Sequence, residues 1–129
     1  MKITEIKKYP LSHDGRISLY IEVCTDNGLK GLGEVGVPNM GKTVISALEH
    51  LEKRLIGEDP WDSEKLWQIM FRGNFFPPGV IYSSAIAAID IALWDLKAKS
   101  VDMPLYLSLI HISEPTRLLS ISYAVFCLK

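Results

Sequence analysis

Residues 36–43 read GVPNMGKT and fit G-x-x-x-x-G-K-[ST], the spacing of a loop that cradles phosphates. In such a loop the glycines let backbone N–H groups converge on phosphate oxygens. The lysine adds a point charge and the threonine hydroxyl reaches Mg²⁺. That chemistry needs two supports. A buried parallel strand, read as a continuous apolar run, must deliver the loop. A carboxylate at the end of a second buried strand must hold the metal. Here Lys30 and Glu34 interrupt the preceding strand, and the later apolar segments ending in aspartate, IAAID and IALWD, fall inside one helical pattern. Pro38 also removes one of the N–H groups the cradle would use. GVPNMGKT is therefore read as a strand-to-helix loop, with a nucleotide-binding fragment as the alternative. The other chemistry-bearing residues are dispersed. His13, His50 and His111 lie far apart, Cys24 and Cys127 are a weak basis for a disulfide, and no His/Cys cluster has metal-ligand spacing.

The elements that must position these residues follow from periodicity. KITEIKKYP (residues 2–10) reads as a strand, an edge strand given Pro10. LSHDGR (residues 11–16) reads as a polar loop. ISLYIEVCT (residues 17–25) alternates, with Ile17, Leu19, Ile21 and Val23 on one face. Asp26-Asn27-Gly28 is a hairpin turn. LKGLGEVGV returns as a third strand, whose glycines suggest a bulge or a close backbone approach. From Lys42 the period becomes helical, with Val44, Leu48, Leu51 and Leu55 on one face and Gly57 after the last turn. Asp62 is placed to cap a second helix with Leu66, Ile69 and Met70 inward. After the RGNFFPPG loop, Ser83 is placed to cap a third. In that helix Ala85, Ile89, Ala92 and Leu96 line one face, its alanines permit close approach, and Asp95 and Lys99 form an i, i+4 pair. Pro104 starts a further helix. The fold class is α+β: a three-stranded antiparallel meander packed on a helical bundle.

Bulk properties exclude several roles. The chain has 129 residues, enough for one domain with a core. A net charge of −1 gives no electrostatic case for nucleic acid or an anionic membrane. No apolar run approaches the length of a membrane span, and the start lacks a secretory signal, so a reduced cytoplasmic setting is expected.

AIAAIDIALWDLKAK (residues 85–99) followed by MPLY (residues 103–106) resembles the N-terminal capping domain of the mandelate racemase and muconate-lactonizing branch of the enolase superfamily. MKITEI, DNGLKGLGE and LIGEDP match further landmarks of that domain in order, so the resemblance covers residues 1–106. It implies a domain that precedes a TIM-type barrel carrying the Mg²⁺ ligands and the acid/base residues, a barrel that these 129 residues are expected not to include. The parent it implies is a Mg²⁺-dependent, homo-oligomeric lyase acting on a small acid sugar, a galactonate- or mannonate-type dehydratase, or a related racemase or cycloisomerase. With the barrel absent, the chain alone is expected to be inactive, to hold no catalytic residue and no metal ligand, and to expose an apolar patch. Asp90, Asp95 and Glu34 are accordingly not promoted to ligands. The resemblance also implies two lid segments over the barrel mouth, residues 11–16 and 36–41. In them His13 and Arg16 would meet an anionic substrate, Asn39 would hydrogen-bond a hydroxyl and Met40 would exclude water. A non-catalytic α+β binding module is the remaining alternative.

Residues 107–129, LSLIHISEPTRLLSISYAVFCLK, resemble the conceptual translation of a transposase-based sequencing-library adapter. Residues 107–117 back-translate to the adapter arm and residues 121–128 to the flow-cell end, with room for an index between them. This segment is expected to be adapter-derived and to add nothing to the fold. His111 and Cys127 fall within it, which leaves no native disulfide pair.

Overall fold

The computed structural model describes residues 1–107 and 109. The segment expected to be adapter-derived, residues 107–129, thus lies outside the described residues, apart from positions 107 and 109. Strands β1 (Ile3–His13), β2 (Arg16–Thr25) and β3 (Lys30–Glu34) form one antiparallel sheet in the order β1-β2-β3. Helix α1 (Gly41–Leu55) follows, then a 3₁₀ turn (Pro60–Asp62), α2 (Ser63–Arg72) and α3 (Val80–Ser100). The α+β meander-on-bundle expected from the sequence is the architecture found.

Ile3 and Ile6 are three residues apart, yet both are buried. A register shift between Ile3 and Glu5 absorbs the extra residue and turns both side chains inward. β1 is an edge strand, as Pro10 suggested, and α1 partly covers that edge. Glu52 accepts from the Ile6 amide at 2.8 Å and pairs with Lys8. In β2 the alternation holds for Leu19, Ile21 and Val23, all buried. Ile17 departs from it: 43% exposed, it lies beyond the core near the hairpin end. The segment at residues 11–16 is not the loop its polarity suggested. β1 continues through His13, which pairs with Arg16, and only Asp14 (φ 48) and Gly15 (φ 75) make the turn. Positive φ at both central residues suits the twist of a tight hairpin.

The sheet packs on α3 through its glycines. A Cβ placed on Gly31 would lie 2.0 Å from the Ala92 carbonyl oxygen, and one on Gly33 would lie 2.1 Å from that of Ala88. The backbones of strand and helix therefore touch, with alanine on the helix side and glycine on the strand side. Two side chains of α3 then satisfy the outer edge of β3. Asp95 accepts from the Leu32 amide at 2.8 Å, while Lys99 reaches Asp95 at 2.6 Å and the Lys30 carbonyl at 2.9 Å. Val44, Leu48, Leu51 and Leu55 of α1 and Leu66 and Met70 of α2 close the core, whereas Ile69 is only partly buried.

Two caps differ from expectation. Asp62 precedes α2 but makes no side-chain cap bond; instead Asp59 caps the 3₁₀ turn, accepting from the Trp61 amide at 2.9 Å. Ser83 does not cap α3, which begins at Val80 after Gly79. Its hydroxyl lies inside the first turn and donates to the Pro78 carbonyl at 3.4 Å.

Candidate functional site

The loop that follows β3 runs beside β2 toward the first hairpin. The Val35 amide donates to Leu19 at 2.9 Å, and the Gly36 amide to the Ser84 hydroxyl of α3 at 3.1 Å. At Asn39 the chain turns into the left-handed region (φ 61), which asparagine tolerates better than most residues. This turn directs the backbone amide and the side-chain oxygen of Asn39 at Ile17. The Asn39 amide donates to the Ile17 carbonyl at 3.4 Å, and Asn39 Oδ1 accepts from the Ile17 amide at 3.2 Å. The start of β2 and the loop before α1 are therefore joined at two points.

Beside this joint is a cleft of about 490 Å³, lined by Pro10, Ile17, Asn39, Met40, Lys42 and Ile45 among others. Its floor includes the first turn of α1. Met40 occupies the cap position without a side-chain cap bond, and no acidic residue stands in that turn. The open N–H groups and the partial positive charge of a helix start thus border a cleft that Lys42 also lines. Apolar walls with a positive end suit a small ligand bearing an anionic group.

The four residues singled out from the sequence are not equivalent. Asn39 and Met40 line the cleft, and Met40 is 46% exposed. His13 and Arg16 face each other across the hairpin register and are not among the lining residues. The His13 side chain is almost fully exposed, 3.2 Å from Asp14. Sequence reading missed Ile17, whose place in an alternating strand marked it for the core, and Pro10. It noted Lys42 and Thr43 only as part of a phosphate loop; they return as cleft-lining residues in another setting.

The nucleotide-binding alternative has no support here. β3, which delivers the loop, is antiparallel to β2, with Glu22 opposite Leu32. Asp90 and Asp95 both lie on α3 rather than at strand ends. The residues present also do not fit a Mg²⁺ site. Among the described residues no three His, Cys, Asp or Glu side chains gather to hold an ion. Asp95 is committed to the edge of β3, and Glu34 is exposed. Among the same residues no helix is long and apolar enough to cross a membrane.

Comparison with known proteins gives a consistent family. Residues 13–110 match the model of the mandelate racemase / muconate lactonizing enzyme N-terminal domain. A D-galactonate dehydratase from Verminephrobacter eiseniae is 40% identical over 106 residues, 82% of this chain and 27% of that protein. The D-galactonate dehydratase family member RspA from Cellvibrio japonicus is 39% identical over 125 residues, 96% of this chain and 31% of that protein. Among solved structures, an enolase from Agrobacterium radiobacter with bound Na and L-malate superposes with a TM-score of 0.77 at 34% identity, covering 82% of this chain and 27% of that one. The chain thus spans about a quarter to a third of the relatives it matches. With its three-stranded meander, its helices and this match, the chain belongs to the mandelate racemase / muconate lactonizing enzyme family and is built as that family's N-terminal domain.

Proposed function

We propose that this chain is the capping domain, residues 1–106, of an acid-sugar dehydratase of the galactonate or mannonate type. In that protein the hairpin end at residues 11–16 and the loop at residues 36–41 cover a sugar-acid substrate held by a second, barrel-shaped body. The observation that carries this reading is the double hydrogen bond between Asn39 and Ile17, which unites the two segments beside a cleft with a positive end. Arg16 and His13 at the hairpin end would meet the substrate carboxylate. Asn39 spends its oxygen on Ile17 and keeps its Nδ2 donors for a substrate hydroxyl. Met40 is an exposed apolar side chain that would exclude water on closure. Mg²⁺ is the cofactor proposed for the longer polypeptide, with ligands outside the described residues. A cytoplasmic, homo-oligomeric parent belongs to the same reading, as does an adapter-derived origin for residues 107–129.

The test is to supply residues 1–106 with the remainder of a family polypeptide and assay a panel of sugar acids for 2-keto products. Galactonate or mannonate turnover is expected, with KM raised about tenfold or more in Arg16→Ala. The 129-residue chain alone should give none. Absence of keto product from every sugar acid in the restored protein would overturn the dehydratase reading. A KM unchanged in Arg16→Ala would remove the hairpin end from the substrate site.

A further inference from the structure

A second cleft, of about 290 Å³, lies between α2 and α3 and is lined by Ser63, Glu64, Trp67, Asp90 and Trp94. The chain has three tryptophans, and all of them lie here. Trp67 and Trp94 line the cleft, and Trp61 stands beside it, within 5.9 Å of the Lys97 ammonium. Trp67 is braced by Phe71, stacked at 4.7 Å between ring centroids. Lys97 lies 4.6 Å from the centre of the Trp94 ring and donates to the Ser63 hydroxyl at 2.5 Å.

Two carboxylates, Glu64 and Asp90, line the cleft, and no cationic side chain is among its lining residues. Lys97, beside the cleft, acts on Asp90 but also on Asp59 and Asp62. The ion pairs among the described residues leave Asp90 out, although it is half-buried. Burial pushes the Asp90 carboxyl above its ordinary range, with Lys97 opposing and Glu64 adding to the shift. A carboxylate in this position gains most from a cation that arrives from outside.

The flank of the same helix is also uncovered. Val80, Ala87 and Ile91 recur at i, i+7 and i+11 on α3 and are exposed, Val80 to 76% and Ile91 to 45%. This stripe borders the Asp90 and Trp94 face, because residues three and four apart on a helix are neighbours. An apolar stripe ending in an aromatic, acidic notch is the surface expected beneath another folded body that presents one basic side chain.

We propose that the cleft between α2 and α3 is a socket for an arginine side chain, presented by the part of the longer polypeptide that packs on α3. This rests on the capping-domain reading above, in which a second body covers the domain. Arginine fits better than lysine for two reasons. A planar guanidinium can stack on an indole while forking two N–H groups to the Asp90 carboxylate. An ammonium, that of Lys97, also already stands over the Trp94 ring beside the cleft.

Because all three tryptophans are at the site, intrinsic fluorescence reports its occupancy directly. The full 129-residue chain is titrated with N-acetyl-arginine amide and, separately, with the neutral isostere N-acetyl-citrulline amide. A saturable emission change with arginine amide is expected, half-complete at roughly 1–10 mM, the scale of one charge-assisted contact plus one cation–π contact. Asp90→Asn should weaken it at least tenfold, and Glu64→Gln severalfold, with far-UV dichroism unchanged in each. If Asp90→Asn fails to fold, Glu64→Gln carries the comparison. An equal response to citrulline amide, no saturation, or unchanged binding in the variants that fold would overturn the socket. Sedimentation velocity over a concentration series tests its source. A monomer supports the assignment, whereas a dimer that Asp90→Asn dissolves would give the socket to a second copy and overturn it. No step needs catalysis, so failure here is distinguishable from failure of the dehydratase reading.

Discussion

Gly31→Ala should be among the most damaging single-methyl changes available in this domain. The added Cβ would lie 2.0 Å from the Ala92 carbonyl oxygen, 2.7 Å from Leu96 Cγ and 2.9 Å from the Ala92 carbonyl carbon. Two of these three atoms are helix backbone, so no rotamer change relieves the clash. Reaching an ordinary 3.4 Å contact requires β3 and α3 to separate by roughly 1.4 Å. That movement also stretches the bonds tying the edge of β3 to α3, from the Leu32 amide to Asp95 and from Lys99 to the Lys30 carbonyl. Overpacking costs about 1–3 kcal/mol, and a weakened hydrogen bond to a charged group about 1.5–3 kcal/mol. A loss of about 3–5 kcal/mol is therefore expected, against a typical domain stability of about 5–15 kcal/mol.

Gly28→Ala supplies the control. Gly28 has φ +83 with nothing within 4 Å of its added Cβ, so only the left-handed backbone opposes the methyl, at about 1–2 kcal/mol. Urea unfolding, followed by far-UV dichroism, measures both variants. The expected order is a large drop in midpoint for Gly31→Ala and a small one for Gly28→Ala, with similar slopes. A Gly31→Ala protein within about 1 kcal/mol of the parent would refute the backbone contact as the basis of sheet-on-helix packing.

Asn39→Ala removes the acceptor for the Ile17 amide, so hydrogen exchange at Ile17 should speed up about tenfold, while Ile21 in the core of β2 keeps its protection. Equal rates at Ile17 would remove the joint. Because burial raises the Asp90 pKa, the folded state holds a proton that the unfolded state has lost between the ordinary and the raised values. Stability due to this group should fall as pH rises through that window, and Asp90→Asn should flatten the slope of urea midpoint against pH. Deleting residues 107–129 should leave the urea midpoint unchanged or raised; a clear loss of cooperative unfolding would show that the segment belongs to the fold.

What could be read in advance depended on whether the cause of a feature is local. Alternation marked Leu19, Ile21 and Val23 because one face of β2 is buried along its inner half. The same cue failed at Ile17, where β2 leaves the core and burial no longer selects the face. It failed again at residues 11–13, which form a strand by pairing alone, in an exposed hairpin where polar residues are tolerated on both faces. Close approach was legible separately in the glycines of β3 and in the alanines of α3, because small residues are local; that each is the other's partner was not. The caps were not, because a cap depends on where the helical backbone begins. Asp62 and Ser83 have suitable side chains, but the chain starts its turns at Pro60 and Val80. The Asn39–Ile17 joint, 22 residues apart, is a product of tertiary placement and left no periodic trace.

That joint bears directly on how a lid could work. A lid made of two independent loops must order each one when it closes, at a cost of about 1–2 kcal/mol per backbone residue fixed. Here the loop at residues 36–41 makes a pair of hydrogen bonds to Ile17, the residue that follows the hairpin end. The hairpin that carries His13 and Arg16 is itself held by strand pairing through His13 and Arg16, so little of it remains to be ordered. The loop at residues 36–41 is fixed at one end by Ser84 on α3 and continues at the other into α1. Closure by such a unit would resemble a rigid edge settling onto a substrate more than a loop folding over it. The side chains at its rim, Arg16, Met40 and the Nδ2 of Asn39, would then be presented in one step. Asn39 is the residue on which this depends, because it is bonded to one segment and belongs to the other. Asn39→Ala in the restored enzyme should therefore raise KM and lower kcat together. A change in KM alone would mean that Asn39 touches substrate without holding the lid.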